Sequence, residues 1–129
     1  MLSPPYDDRV LYSFHCYEPI GYTHQLAYWM PELRERLSCA DAGVTPEYFE
    51  ELFAPALHKA DAEGTILYCG EYGVIDTVDP KDSLTWFRAI HEVFERYSIP
   101  RCLWTYRKMD FGLSDSRMDG VRSEVLKYL

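Results

Sequence analysis

The 129-residue chain has the length of one ordinary domain, enough to bury a core without cross-links. At 47% hydrophobic and 26% charged, with no low-complexity tract, its composition excludes a disordered segment. A formal net charge of −8 with scattered Lys and Arg repels a phosphate backbone and excludes nucleic acid as a partner, whereas a neutral sugar needs no attracting field.

In chain order, the first element predicted is a strand over Val10 to Phe14, a short apolar run followed by His15 and Tyr17. Tyr22-Thr23-His24-Gln25 follows as a loop in which His24 is expected to make a fixing hydrogen bond. A short helix is predicted through Glu32 to Leu37. Thr45-Pro46, an N-cap residue and the proline suited to the first helical turn, opens a longer helix carrying Phe49, Leu52, Phe53 and Leu57 toward Gly64.

The second strand is predicted over Thr65 to Cys69 and runs into Gly70-Glu71-Tyr72-Gly73, a carboxylate between two glycines. Those glycines are expected to let the strand end turn sharply while Glu71 projects into a cleft. Asp79-Pro80 starts the clearest helix, with Trp86, Ile90, Val93 and Tyr97 at helical spacing and Phe87 and Phe94 alongside, until Pro100 forbids continuation. Asp76, Asp79 and Asp82 lack the Gly and distal Glu of a calcium loop, so Asp79 is assigned to capping. A third strand spans Cys102 to Trp104, Gly112 to Ser116 forms a loop, and a last helix covers Met118, Val121, Val125 and Leu126.

Strands alternating with covering helices predict parallel pairing, and the class is α/β. No linker or fixed-period repeat divides residues 1–129. Cys16, Cys39, Cys69 and Cys102 are too widely spaced for a zinc knuckle or a redox pair, and those in the apolar runs are expected to be buried hydrophobes. No metal site or cofactor is expected. No window approaches the roughly 18 apolar residues of a membrane span, and the N-terminus shows no signal-peptide pattern, which leaves the compartment unspecified.

In a parallel α/β sheet, functional groups gather where strands end. The three strand ends carry His15 and Tyr17, then Glu71, then Trp104. His15 and Tyr17 are two apart, so on extended backbone both point to one face, toward Glu71 on the neighbouring strand. Singly, each has a structural explanation: a surface acid at a glycine turn, a core histidine, packing aromatics. Together at consecutive strand ends, they outline a polar site with an aromatic platform.

Ser13-Phe14-His15-Cys16-Tyr17-Glu18-Pro19, Tyr22-Thr23-His24-Gln25, Gly70-Glu71-Tyr72-Gly73-Val74 and Leu103-Trp104-Thr105-Tyr106 occur in an order that resembles the C-terminal part of glycoside hydrolase family 5, the cellulase family of clan A. The resemblance implies a partial (β/α)8 TIM barrel, with residues 1–129 forming strands six to eight and their helices. It implies a retaining glycosidase acting on β-glucan-type polysaccharides, with Glu71 as nucleophile, Tyr17 hydrogen-bonding it, His15 shaping the sugar subsite and Trp104 forming its floor. A retaining enzyme needs one carboxylate to attack the anomeric carbon and a second, roughly 5 to 5.5 Å away, to protonate the leaving oxygen. Hydrogen bonds from Tyr17, with His15 beside it, favour the charged form of Glu71.

The family places its acid/base glutamate after an asparagine at the end of strand four, and no Asn occurs in this sequence. Glu18 is a poor substitute, because neighbouring strand residues face opposite ways. The expectation is a chain that carries the nucleophile half of the site, lacks the acid/base half and has little activity alone. Its open strand edges predict self-association or pairing with the missing N-terminal barrel portion. The alternatives are a non-catalytic carbohydrate-binding or interaction module, and a truncation with no function of its own.

Overall fold

The computed structural model describes residues 3–129. Three strands, β1 (Tyr12–Cys16), β2 (Leu67–Tyr72) and β3 (Arg101–Leu103), form one parallel sheet in the order β1-β2-β3. Each strand lies within one to three residues of its expected position. A four-residue helical turn, α1 (Ile20–Thr23), follows β1, and α2 (Pro46–Ala62) and α3 (Pro80–Arg96) form the two crossovers.

The long helices begin where their caps dictate. The Thr45 side chain accepts from Tyr48 N, and the Asp79 carboxylate accepts from Lys81 N and Asp82 N, satisfying amide donors that have no partner within the helix. α3 ends at Arg96, short of Pro100, because Ser98 takes a positive φ of 51° and Ile99 N bonds back to Phe94 O.

One face of the sheet is covered. Phe14 meets Phe53 edge-on at 4.9 Å between ring centroids, Phe53 stacks on Phe94 at 5.8 Å, and Tyr72 contacts both Phe94 and Trp86. Trp86 is fully buried, and its indole N–H donates to Glu18 O at 2.9 Å, so the largest core side chain also ties α3 to the end of β1. The opposite face is open. Ser13, His15, Cys102 and Trp104 are exposed there, while Tyr12, Cys16, Leu67 and Cys69 lie buried beneath the helices.

Several expectations are corrected. Glu32 to Leu37 is not helical, because its backbone is bonded elsewhere. The Gln25 amide accepts from Leu37 N at 2.8 Å and donates to Leu37 O at 3.2 Å, while Leu33 O accepts from Leu26 N. The last helix is broken into a 3-10 turn (Ser116–Met118), α4 (Arg122–Val125) and a second 3-10 turn (Leu126–Tyr128), with Gly120 at the break. Leu52 and Tyr97 are exposed instead of packed. Cys102 is exposed because it sits on the open face of an edge strand, whereas Cys16, Cys39 and Cys69 are buried. No helix among the described residues is long and apolar enough to cross a membrane.

Trp86→Ala is expected to lower the unfolding free energy by about 3–5 kcal/mol, while Leu52→Ala changes it by under about 1 kcal/mol. Urea titrations of the two variants against the parent chain measure the difference.

Candidate active site

Alternation along β2 would by itself turn Glu71 away from His15. Leu67 and Cys69 are buried under the helices, and a regular strand would send residue 71 the same way. The register prevents this. Phe14 pairs with Cys69 but His15 pairs with Glu71, and on the other side Cys69 pairs with Arg101 while Tyr72 pairs with Leu103. One extra residue in β2 therefore stands opposite both neighbours, and the burial phase moves on to Tyr72. Glu71 is released to the open face.

Gly70 lies at this step. A Cβ there would sit 3.1 Å from both His15 Nε2 and Ser13 Oγ, so the bare backbone is what lets the imidazole lie across β2. Gly73 answers a tighter constraint. Its Cβ would sit 2.2 Å from the Trp104 carbonyl oxygen. The expected sharp turn is thus corrected: neither glycine takes a positive φ, and both serve close approach.

The three strand ends now converge. Tyr17 donates its phenol hydrogen to Glu71 Oε2 at 3.0 Å, and His15 Nδ1 lies 3.3 Å from the same oxygen. Burial, followed by the hydrogen bond to Glu71, pushes the Tyr17 phenol well above the ordinary tyrosine range, so it remains a donor across the whole working range of pH. Trp104 follows β3 and donates its backbone N–H to Tyr72 O at 2.9 Å, placing the indole-bearing residue one position beyond the Glu71 strand end with about a third of its surface exposed. The Trp104-Thr105 peptide is cis.

A second tier, which the sequence pattern did not assign to the site, holds Tyr17 in place. The Thr23 hydroxyl donates to Tyr17 O, and His24 and Phe111 both meet the Tyr17 ring edge-on, at 5.1 and 5.6 Å. His24 Nδ1 lies 3.0 Å from Thr23 Oγ1, the fixing contact expected of it. Burial holds the His24 imidazole below its ordinary pKa of 6.5, with Glu18 opposing. Phe111 lies in a loop, and only its place in an apolar triplet, Phe111-Gly112-Leu113, marks it in the sequence. Glu18 is engaged elsewhere, its Oε2 accepting from Ile20 N at 3.0 Å.

A parallel β/α sheet that brings a carboxylate, a phenol and an imidazole into contact at its strand ends, with Trp104 following the third strand, has the architecture of a segment of a β/α barrel. The family model of cellulase, glycosyl hydrolase family 5, matches residues 1–110, and the chain belongs to that family. It is 52% identical over 102 residues to cellodextrinase A of Ruminococcus flavefaciens, an alignment covering 78% of this chain and 30% of that protein. It is 26% identical over 149 aligned positions to endoglucanase C of Acetivibrio thermocellus, covering 95% of this chain and 43% of the relative. The chain thus spans less than half the length of these relatives.

Among solved structures, Thermotoga maritima Cel5A in complex with mannotriose superposes with a TM-score of 0.78 at 20% identity, covering the whole of this chain and 42% of the other. A hyperthermophilic endo-β-1,4-glucanase in complex with substrate gives 0.76 at 26% identity, covering 89% and 37%. The fold is a partial (β/α)8 barrel.

Gly73→Ala should destabilise the chain by about 1–3 kcal/mol or more, because backbone must move to admit the methyl group. Gly120→Ala, whose Cβ would meet nothing within 4 Å, should stay within about 0.5 kcal/mol by urea titration.

The depressed His24 pKa makes a second prediction. On acidification the unfolded chain takes up this proton first, so the contribution of neutral His24 is complete above pH 6.5 and is lost as pH falls below it. His24→Gln should flatten the stability profile between pH 7.5 and 5, measured by urea unfolding at each pH.

Proposed function

We propose that this chain is the nucleophile-bearing part of a retaining β-glycosidase, forming strands six to eight of the barrel as its C-terminal segment. The observation that carries the reading is the shared oxygen: Glu71 Oε2 faces both the Tyr17 hydroxyl and His15 Nδ1 at a strand end. Two ring-bearing side chains at one carboxylate oxygen fix its orientation, which an in-line nucleophile requires.

In this reading Glu71 attacks the anomeric carbon and forms the glycosyl-enzyme bond, while the electrons of the broken glycosidic bond pass to the leaving oxygen, which a second carboxyl group protonates. Tyr17 orients the attacking oxygen, His15 borders the sugar, and the Trp104 indole offers a flat apolar face to the C–H side of a pyranose. β-Linked glucan or mannan oligosaccharides are the substrate class, in keeping with the names and bound sugars of the relatives. The second carboxyl group comes from outside the Glu71, Tyr17 and His15 contacts. The 129-residue polypeptide alone is therefore expected to have little or no activity, with its open sheet face awaiting the remaining strands.

A second reading, a non-catalytic carbohydrate-binding module, draws on Trp104 and Tyr106, both exposed at one strand end. Calorimetry with cello- and manno-oligosaccharides distinguishes it: saturable heat from the chain alone, lost in Trp104→Ala, favours the module.

Mixing the chain with a polypeptide that supplies the remaining barrel strands of R. flavefaciens cellodextrinase A should restore hydrolysis of an aryl β-cellobioside. Glu71→Gln should then cost about 10³-fold or more. Activity in the mixture that Glu71→Gln leaves intact would remove Glu71 from the nucleophile role.

A further inference from the structure

The loop that follows α1 has no helix or strand of its own, yet one buried side chain closes it at the base. Gln25 is only 2% exposed. Its amide Nε2 donates to Leu37 O at 3.2 Å, while its Oε1 accepts from Leu37 N at 2.8 Å. The side chain thus stands in for a peptide group, making with Leu37 the two-way exchange of a hydrogen-bonded strand pair. Residues 26–37 are thereby drawn into a compact Ω-loop with its ends together.

The closure is tied to the connection from β2 to α3, which leaves Glu71. Gln25 O accepts from Thr77 Oγ1 at 2.6 Å, and Arg36 Nη1 donates to Thr77 O at 2.7 Å, so residues at both ends of the loop meet Thr77. Ile75 N, in the same connection, donates to Thr23 O at 3.0 Å. Just inside the closure, Leu26 takes a positive φ of 59°, a region that bulky side chains avoid, and its amide donates to Leu33 O at 2.8 Å. A leucine persists there only where its surroundings fix the backbone.

The loop carries Trp29. Tyr28 and Trp29 are both exposed on it with their rings edge-on at 4.7 Å, and the Trp29 indole meets the His24 imidazole edge-on at 6.2 Å. His24 in turn packs on Tyr17, which donates to Glu71. The loop comes after β1 and Trp104 after β3, so the two exposed indoles belong to opposite flanks of the strand that holds Glu71.

We propose that Gln25 is a positioning residue of the cleft: its buried amide closes the 26–37 loop and so holds Trp29 against His24 on the β1 flank of Glu71. A methionine at this position keeps the length but leaves Leu37 N–H and C=O without their partner. A glutamate keeps the shape, and keeps both contacts only while protonated, because a carboxylate accepts from Leu37 N but cannot donate to Leu37 O. The role therefore has a signature that packing alone lacks: in Gln25→Glu it depends on pH.

The proposal rests on reading Glu71 and its neighbours as a sugar cleft, but its test needs no sugar. The 129-residue chain labelled with 5-fluorotryptophan gives three fluorine signals, assigned by Trp29→Phe and Trp104→Phe, with buried Trp86 as the monitor of the core. In Gln25→Met the Trp29 signal should move from its parent position toward that of the urea-unfolded chain, while the Trp86 signal stays in place. In Gln25→Glu the Trp29 signal should match the parent at pH 5, where burial keeps the carboxyl neutral, and match Gln25→Met at pH 9, where it ionises. Arg36, Asp79 and Asp82 line the groove around Gln25 and are the same in every variant, so comparison at one pH cancels their titration and that of His24.

A Trp29 signal unmoved in Gln25→Met overturns the proposal, and so does a Gln25→Glu signal that follows one of the other two chains at both pH values. If Gln25→Met unfolds, Gln25→Glu decides alone. Movement of its Trp29 signal between pH 5 and 9 with Trp86 fixed supports the proposal, and joint movement of both signals overturns it, because the amide would then support the whole fold instead of the loop. Hydrolysis by a reconstituted barrel that survives Glu71→Gln would count against the reading of the cleft and leave the Trp29 comparison standing.

Discussion

The site depends on one extra residue in the middle strand. Three parallel strands bring their C-terminal ends to one edge, but strict alternation would bury residue 71 with Leu67 and Cys69 beneath the helices. The register step at Gly70 shifts the phase, so Tyr72 takes the buried position and Glu71 emerges opposite His15. Every contact of the carboxylate follows from that change of face. Gly70 is suited to the step because His15 and Ser13 occupy the space a side chain would need.

The other strand end is brought close by a second absence of bulk. The Trp104 carbonyl packs over Gly73, and the Trp104 amide bonds to Tyr72 O, so the indole-bearing residue is fixed to the β2 backbone from two directions. Behind Tyr17, the rings of His24 and Phe111 and the hydroxyl of Thr23 restrict the phenol to the orientation in which it donates to Glu71. Hydrogen bonds from the Val74–Asp76 segment extend this order to the surrounding loops. The result is a carboxylate whose orientation is fixed by its neighbours, as the role proposed for Glu71 requires.

The same sheet is asymmetric. Aromatic packing from α2 and α3 covers one face, while the face carrying His15 and Trp104 is open. A barrel buries that second face by closing on itself, and three of its strands cannot close. Family membership together with the small share of each relative that the chain covers explains why site geometry and open surface occur in one molecule.

Local chemistry made much of this legible from the residues. Thr45-Pro46 and Asp79-Pro80 announce helix starts because capping and proline geometry act within one turn, and the apolar period of α3 depends only on which side chains face the sheet. The approach of His15 and Tyr17 to Glu71 is also readable, since parallel topology gathers strand ends whatever the finer register. What the sequence could not decide depended on distant partners. Glu32 to Leu37 carries a plausible helical pattern, yet the amide of Gln25 takes its backbone bonds. Met118 to Leu126 has helical spacing but is divided at Gly120. The two glycines beside Glu71 suggested a turn, and only the neighbouring strands reveal that one admits an imidazole and the other a carbonyl. Intrinsic preference and periodicity act through neighbours in the chain, whereas register, close approach and charge environment arise from contacts across it.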